Sequence, residues 1–92
     1  IPDKSIDYVF TDPPFGGYIP YSEINFLNEI WLDKVTDRKR EIIVSAAQRK
    51  DVGHYATLMG KVFKEISRTL KDTGLATIVF HSAKAGVWRA LQ

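Results

Sequence analysis

The stretch TDPPFGG, residues 11–17, follows directly on the short apolar run IDYVF, residues 6–10. The aromatic and β-branched residues of the run favour a strand. Pro13 and Pro14 cannot donate backbone hydrogen bonds, and their rings hold φ near one value. The strand must therefore end at these prolines, with the backbone carbonyls pointing outward. We call residues 11–17 the proline corner.

A long amphipathic helix is predicted after the middle of the chain, because apolar residues recur at spacings of three and four from Tyr55 to Leu70. Asp51 precedes the pattern as an N-cap candidate. The segment KDTG, residues 71–74, is expected to end the helix, with Gly74 in the left-handed conformation. A second strand is predicted over residues 75–80, followed by another helix.

The two predicted strands are apolar on both faces, which is typical of a parallel sheet covered on both sides. Strands that alternate with helices form right-handed crossover units with parallel strands. Asp12 and His81 are therefore both expected at the carboxyl edge of the sheet, where ligands of open α/β sheets bind. The expected fold class is α/β.

The remaining segments are less informative. A helix is predicted from Tyr21 to Trp31, with Ser22 as a plausible N-cap and with apolar residues at helical spacing. Residues 32–51 receive no assignment, because the run at residues 42–44 is compatible with a strand, a helical turn or an extended crossing. Four large residues are expected in the core: Trp31, Met59, Phe63 and Trp88.

Composition excludes several classes of protein. The 92 residues are 45% hydrophobic and 26% charged, as in an ordinary globular segment. Cysteine is absent, so the chain has no disulfide framework and no thiolate metal site. No apolar run approaches the roughly 20 residues that span a bilayer, and no signal-peptide pattern is visible. We expect a cytoplasmic protein without a membrane or metal partner.

The formal net charge of +2 does not by itself indicate nucleic-acid binding, although basic residues cluster locally. A solvated surface is the favoured interpretation of these clusters. The alternative is contact with DNA phosphates, which would make affinity fall steeply with salt. The residues concerned are Arg38, Lys39, Arg40, Arg49 and Lys50.

The proline corner itself offers a defined chemistry. The carboxylate of Asp12 and the carbonyl of Pro13 are two acceptors at fixed separation, and Phe15 places a flat apolar face beside them. The exocyclic amino group of a nucleobase has two N–H donors, so two acceptors can hold both hydrogens while the ring stacks on the base. Such bonding should make the nitrogen a better nucleophile. A tight surface turn with a chance carboxylate is the alternative.

The residues DPPF, 12–15, at the end of an apolar strand resemble the catalytic motif of S-adenosylmethionine-dependent amino-methyltransferases that act on adenine N6 or cytosine N4 in DNA. The lead-in SIDYVFT, residues 5–11, looks like the strand before that motif. The run VFKEISRTLK, residues 62–71, with Gly74, looks like the helix and turn that lead to the next strand. The resemblance implies a Rossmann-like fold.

The same resemblance implies roles for individual residues. Asp12 and the Pro13 carbonyl would hold the target amino group, Pro14 would stiffen the corner, and Phe15 would stack on a base extruded from the duplex. The methyl group would come from S-adenosylmethionine. Adenine is favoured over cytosine, because cytosine-directed relatives more often carry serine at the position of Asp12. Association with a restriction-modification system is a further expectation.

Three other residues are weaker candidates for substrate binding. Tyr18 and Tyr21 follow the corner and could line the target pocket, although ordinary loop packing is the favoured alternative. His81 could touch the base or the cofactor, although a histidine at a strand end more often has a structural role.

The chain departs from the family in one respect, since it has no glycine-rich turn after another strand to hold the cofactor. It also opens on Ile1 and stops at Gln92 within a predicted helix. We therefore expect residues 1–92 to be an inactive internal piece of one methyltransferase catalytic domain, on its target-amine side. The rivals are an RNA or protein-glutamine methyltransferase, which asparagine in place of Asp12 would have favoured, and a non-catalytic DNA-binding or interaction module.

Overall fold

The computed structural model describes residues 1–17 and 19–92, and this part of the chain is an α/β structure with two strands and four helices. The elements, in chain order, are β1 (Ile6–Thr11), α1 (Tyr21–Ile24), α2 (Phe26–Trp31), α3 (Val52–Thr69), β2 (Leu70–Ile78) and α4 (Ala85–Leu91). No helix in the described part is long and apolar enough to cross a membrane.

The two strands pair in parallel, as the sequence predicts. Thr11 lies opposite Ile78 at the end of the ladder, and the backbone N–H of Val79 donates to the carbonyl of Thr11 at 2.9 Å. The segments that begin with Asp12 and Val79 therefore leave the sheet side by side at its carboxyl edge. This confirms the predicted placement of the proline corner relative to the end of the second strand.

Helix α3 confirms the predicted periodic segment and its cap. The side chain of Asp51 accepts a hydrogen bond from the backbone N–H of His54 at 2.7 Å. The predicted helix end is wrong, because α3 stops at Thr69 and residues 71–74 already belong to β2. Leu70 lies opposite Ile6, and an irregularity in the register precedes the pair formed by Tyr8 and Leu75.

Gly74 does not adopt the left-handed conformation predicted for it, since Gly16 is the glycine with positive φ in the described chain. Gly74 serves a different purpose. A Cβ at this position would lie 2.9 Å from Leu70 Cδ2 and 3.2 Å from the carbonyl oxygen of Asp7. The missing side chain therefore lets β2 approach β1 closely at the irregular part of the register.

The core lies where α3 packs against α4, around the buried side chains of Tyr55, Met59 and Val87. Met59 is buried as predicted, and Phe63 is partly buried against this cluster. The prediction for Trp31 is wrong, because 89% of this residue is exposed. Trp88 is also partly exposed, although its ring packs against Phe80.

The predicted helix after the corner is divided into α1 and α2 at Asn25. Ser22 is not the N-cap, because Pro20 takes that position and Ser22 lies inside α1, where its side chain bonds Glu41. The apolar side chains of this region are exposed rather than packed in the core. They are Ile24, Phe26, Leu27, Ile30, Trp31, Leu32 and Val35.

Residues 32–51 cross the molecule as turns and extended chain, with an isolated antiparallel bridge between Ser45 and Lys50. Ile43 is buried. The Lys50 ammonium is also buried, and it donates to the carbonyls of Arg38 at 2.5 Å and Glu41 at 2.7 Å. The hydrogen bonds of Lys50 to Arg38 and Glu41 hold this segment in its folded path.

The sheet is not covered on both sides, which corrects the expectation drawn from its apolar residues. Tyr8, Phe10 and Leu75 are exposed in the described structure. Helices α3 and α4 pack mainly against each other, so much of both strands stays open.

Candidate functional site

The proline corner presents two acceptors with no partner among the described residues. The side chain of Asp12 is exposed, and no described group donates a hydrogen bond to its carboxylate or to the carbonyl of Pro13. The ring of Pro13 is buried, so the backbone beneath these acceptors is fixed by packing. The corner can therefore receive two hydrogen-bond donors from a ligand.

The next carbonyl along the chain, that of Pro14, already accepts a hydrogen bond. The Tyr55 hydroxyl donates to the carbonyl oxygen of Pro14 at 2.5 Å. Tyr55 is 0% exposed, and burial raises the pKa of its hydroxyl, with a smaller contribution from the neighbouring Tyr21. The phenol therefore stays protonated at neutral pH and remains a donor.

The two glycines pack the corner against the rest of the molecule. Gly16 has φ of +95°, and a Cβ there would lie 3.2 Å from both methyl groups of Val87. A Cβ on Gly17 would lie 2.9 Å from the carbonyl oxygen of Val44. A side chain at either position would force α4 or the middle segment away from the corner.

Phe15 belongs to a row of three aromatic rings at the carboxyl edge. Its ring meets that of Phe80 in an edge-on arrangement, with centroids 5.6 Å apart. Phe80 in turn meets Trp88 edge-on at 5.0 Å, and the Trp88 indole N–H donates to the Ser82 carbonyl at 2.6 Å. The row holds the Phe15 ring against Phe80 and leaves it only partly buried.

The weaker candidates are placed differently. Tyr21 is half-buried at the start of α1 and close enough to Tyr55 to influence its pKa. His81 is exposed after β2, and the hydrogen bonds of the described residues do not tie it to the corner. Tyr18 lies outside the described residues. Lys84, which the sequence did not single out, places its ammonium 3.5 Å from where a Cβ on Gly17 would be.

A buried carboxylate secures the chain that follows the corner. Glu41 is 9% exposed and accepts from the backbone N–H of Ser22 at 3.0 Å, the Ser22 hydroxyl at 2.7 Å and the Gln48 amide at 3.1 Å. Burial opposes ionisation of Glu41, but these bonds and the charge of Lys50 outweigh it and lower its pKa. The carboxylate is therefore charged and holds α1 against the middle segment.

The structure separates the five basic residues into two groups. Arg38 forms an ion pair with Glu23 at 2.7 Å, and Lys50 is buried against carbonyls. Lys39, Arg40 and Arg49 are exposed and form no ion pair within the described chain. The second group is free to meet phosphates, whereas Arg38 would have to leave its exposed ion pair with Glu23.

The described residues contain no glycine-rich turn of the kind expected to hold S-adenosylmethionine. The paired glycines that could suggest a cofactor turn are filled by Val87 and Val44, as their Cβ distances show. The other glycines stand singly in α3, β2 and α4. In the same part of the chain, no group of three or more His, Asp or Glu side chains could hold a metal ion.

Comparisons with protein-family models, with curated proteins and with solved structures find no match to this chain. The likeness to amino-methyltransferases therefore depends on the motif residues and on the geometry around them.

Two contributors to the site were missed from the sequence. Phe80 could have been found, because it ends the second apolar run as Phe15 follows the first, and parallel strands bring their ends together. Tyr55 could not have been found, because its spacing in the sequence is that of the other residues on the apolar face of α3. Nothing local indicates that its hydroxyl reaches Pro14, which precedes it by 41 residues.

Proposed function

We propose that this chain is the target-amine side of a Rossmann-like DNA methyltransferase that modifies an exocyclic amino group, with adenine N6 favoured over cytosine N4. The single observation that carries the proposal is the pair of free acceptors, on Asp12 and Pro13, beside the fixed ring of Phe15. A planar amino group has two N–H donors to match them. The motif resemblance supplies the identity of the donor as S-adenosylmethionine.

The residues of the chain would act by binding and orientation. The Asp12 carboxylate and the Pro13 carbonyl would each accept one N–H of the amine, and Phe15 would stack on the base. Holding the nitrogen in a reactive orientation accelerates transfer without a covalent enzyme intermediate. The methyl donor would be held by residues other than Gly16 and Gly17, since these glycines pack against Val87 and Val44.

A DNA partner is supported by one cation beside the corner and by three exposed cations of the middle segment. Lys84 lies beside Gly17, and Lys39, Arg40 and Arg49 are exposed. An extruded base brings its flanking phosphates close to the corner, where an ammonium such as that of Lys84 could bind them.

The test is methyl transfer by the full-length protein from labelled S-adenosylmethionine to duplex DNA, RNA and a glutamine peptide, followed by identification of the methylated product. We expect N6-methyladenine in DNA. Asp12→Ala should lower the rate about 10²- to 10³-fold, because one preorganised hydrogen-bonding group is lost. Asp7→Ala is the matched control, since this exposed aspartate pairs only with Lys71.

Three results would decide against the proposal. Label in RNA or in the peptide would select a rival acceptor. Transfer to no acceptor would favour a non-catalytic module. An Asp12→Ala variant as active as Asp7→Ala would show that the corner does not hold the amine.

A further inference from the structure

Tyr55 joins helix α3 to the proline corner through one hydrogen bond, from its hydroxyl to the Pro14 carbonyl. Its ring packs with Met59 and Val87 in the core. A phenylalanine would fill the same space, so packing alone does not require the hydroxyl. What the hydroxyl adds is a fixed direction for one carbonyl of the corner.

That direction determines the neighbouring groups. The Pro14 carbonyl lies in the rigid peptide plane that leads to Phe15, so holding its oxygen also fixes the start of Phe15. The ring of Pro14 fixes φ, so ψ of Pro14 is the one free torsion between the held carbonyl and the preceding peptide, which carries the Pro13 carbonyl. The bond from Tyr55 therefore restricts how the Pro13 carbonyl and the backbone of Phe15 can turn, in addition to the packing of the Pro13 ring and the contact with Phe80.

The other contacts of the corner do not replace this bond. Phe80 touches the far end of the Phe15 side chain, and Val87 packs against Gly16, one residue further along. The ladder holds Thr11, before the prolines. Among the described residues, Tyr55 is the side chain that forms a hydrogen bond with the corner between Thr11 and Gly16.

We propose that Tyr55 is a positioning residue, which holds the Pro14 carbonyl inward and thereby aims the Pro13 carbonyl and Phe15 at the target amine. This inference rests on the proposed function, because it assigns the acceptors to an amine. Tyr55 does not touch the substrate. It acts through the backbone of the corner.

The first test compares Tyr55→Phe with Tyr8→Phe in the full-length protein. Tyr8 is a matched control, because its hydroxyl also makes one hydrogen bond, to Thr77 at 2.7 Å, but on the exposed sheet. Tyr55→Phe should lower kcat about 10- to 100-fold, since small misplacements of reacting groups are costly. The KM for DNA should stay within about twofold, because the contacts to phosphates are unchanged.

Fluorinated tyrosines provide a second set of variants that keep the ring and the donor. Tyr55→3-fluorotyrosine should retain nearly full kcat. In Tyr55→2,3-difluorotyrosine, kcat should fall as the pH rises through ionisation of the more acidic phenol, because the phenolate cannot donate. If ultraviolet absorbance shows that the phenol of this variant ionises while kcat stays unchanged, the proposal is overturned even if Tyr55→Phe fails to fold.

The second test does not depend on methylation. Carbonyl-labelled proline and nitrogen-labelled phenylalanine and glycine report on the corner by NMR. Tyr55→Phe should move the Pro14 carbonyl signal and broaden the amide signals of Phe15 and Gly16, whereas Tyr8→Phe should leave them unchanged.

The two tests separate the possible failures. If the wild-type protein methylates no DNA, the proposed function is wrong, and the NMR spectra still decide whether Tyr55 orients the corner. If Tyr55→Phe leaves kcat or these signals as in the wild type, the positioning role is wrong even though the enzyme is active.

Discussion

Ser22 and Glu41 are joined by two hydrogen bonds, through the backbone N–H and the hydroxyl of Ser22, across 19 residues of sequence. Both residues are buried. Because Ser22 lies at the start of α1, soon after the proline corner, this pair determines where the chain goes when it leaves the site.

Loss of the Glu41 carboxylate should destabilise the protein. Glu41→Ala leaves the buried donors of Ser22 and Gln48 without an acceptor, so we expect the free energy of unfolding to fall by about 2–3 kcal/mol. Glu23→Ala is the control, because its ion pair with Arg38 is exposed and contributes at most about 1 kcal/mol. Urea unfolding measures both values. Equal losses would mean that the buried bonds carry no special weight.

Stability should also depend on pH through the same carboxylate. The pKa of Glu41 is lower in the folded protein than its ordinary value of 4.5, so the unfolded chain binds the proton more tightly. The stabilisation is therefore complete above about pH 4.5 and is lost as the pH falls through the folded pKa. Unfolding curves between pH 6 and 3 should show this loss in the wild type.

The isosteric variant isolates the contribution of Glu41 to this pH dependence. Hydrogen bonds to Thr36 and Arg68 also lower the pKa values of Glu29 and Glu65, so some acid sensitivity will remain in any Glu41 variant. Glu41→Gln should nevertheless flatten the curve relative to the wild type. Parallel curves for the two proteins would contradict the assignment.

Substitution of glycine by alanine should have opposite effects on stability at positions 74 and 60. Gly74→Ala should destabilise the protein by about 1–3 kcal/mol, because the new Cβ would meet Leu70 and the Lys71 carbonyl at 3.0 Å or less. Gly60→Ala should stabilise it by about 1 kcal/mol, since Gly60 lies within α3 with nothing within 4 Å of its added Cβ. Thermal unfolding of both variants checks the signs. A stabilising Gly74→Ala would show that β2 can move away from β1.

Helix α3 and Gly74 show which parts of the fold could be predicted from the sequence. Helix α3 and its Asp51 cap are encoded by local spacing and by one nearby hydrogen bond, so the sequence was sufficient. Because Gly74 follows the predicted helix, the sequence suggested that it ends that helix as a C-terminal cap. Its true role depends on Asp7 across the sheet, and local sequence carries no information about that neighbour.

The part of the site that is contiguous in the sequence could be predicted. The residues at 12–15 form one motif, and the parallel order of the strands places them at the carboxyl edge. Their supports come from distant segments, as Tyr55 and Glu41 show. Spacing also cannot distinguish an apolar residue that packs in this chain from one that stays exposed, which is why the expectation for Trp31 was wrong.

The two tryptophans test that distinction directly. Trp31→Ala should change the free energy of unfolding by no more than about 0.5 kcal/mol, because its side chain is almost fully exposed. Trp88→Ala should lower it by about 2 kcal/mol, since it removes the contact with Phe80 and the hydrogen bond to Ser82. Within residues 1–92 each variant leaves one tryptophan, so the emission wavelength of this 92-residue chain reports the environment of the other. Trp31 alone should emit as a solvated indole and Trp88 alone at shorter wavelength. A large loss of stability in Trp31→Ala would show that this face of α2 is covered in solution.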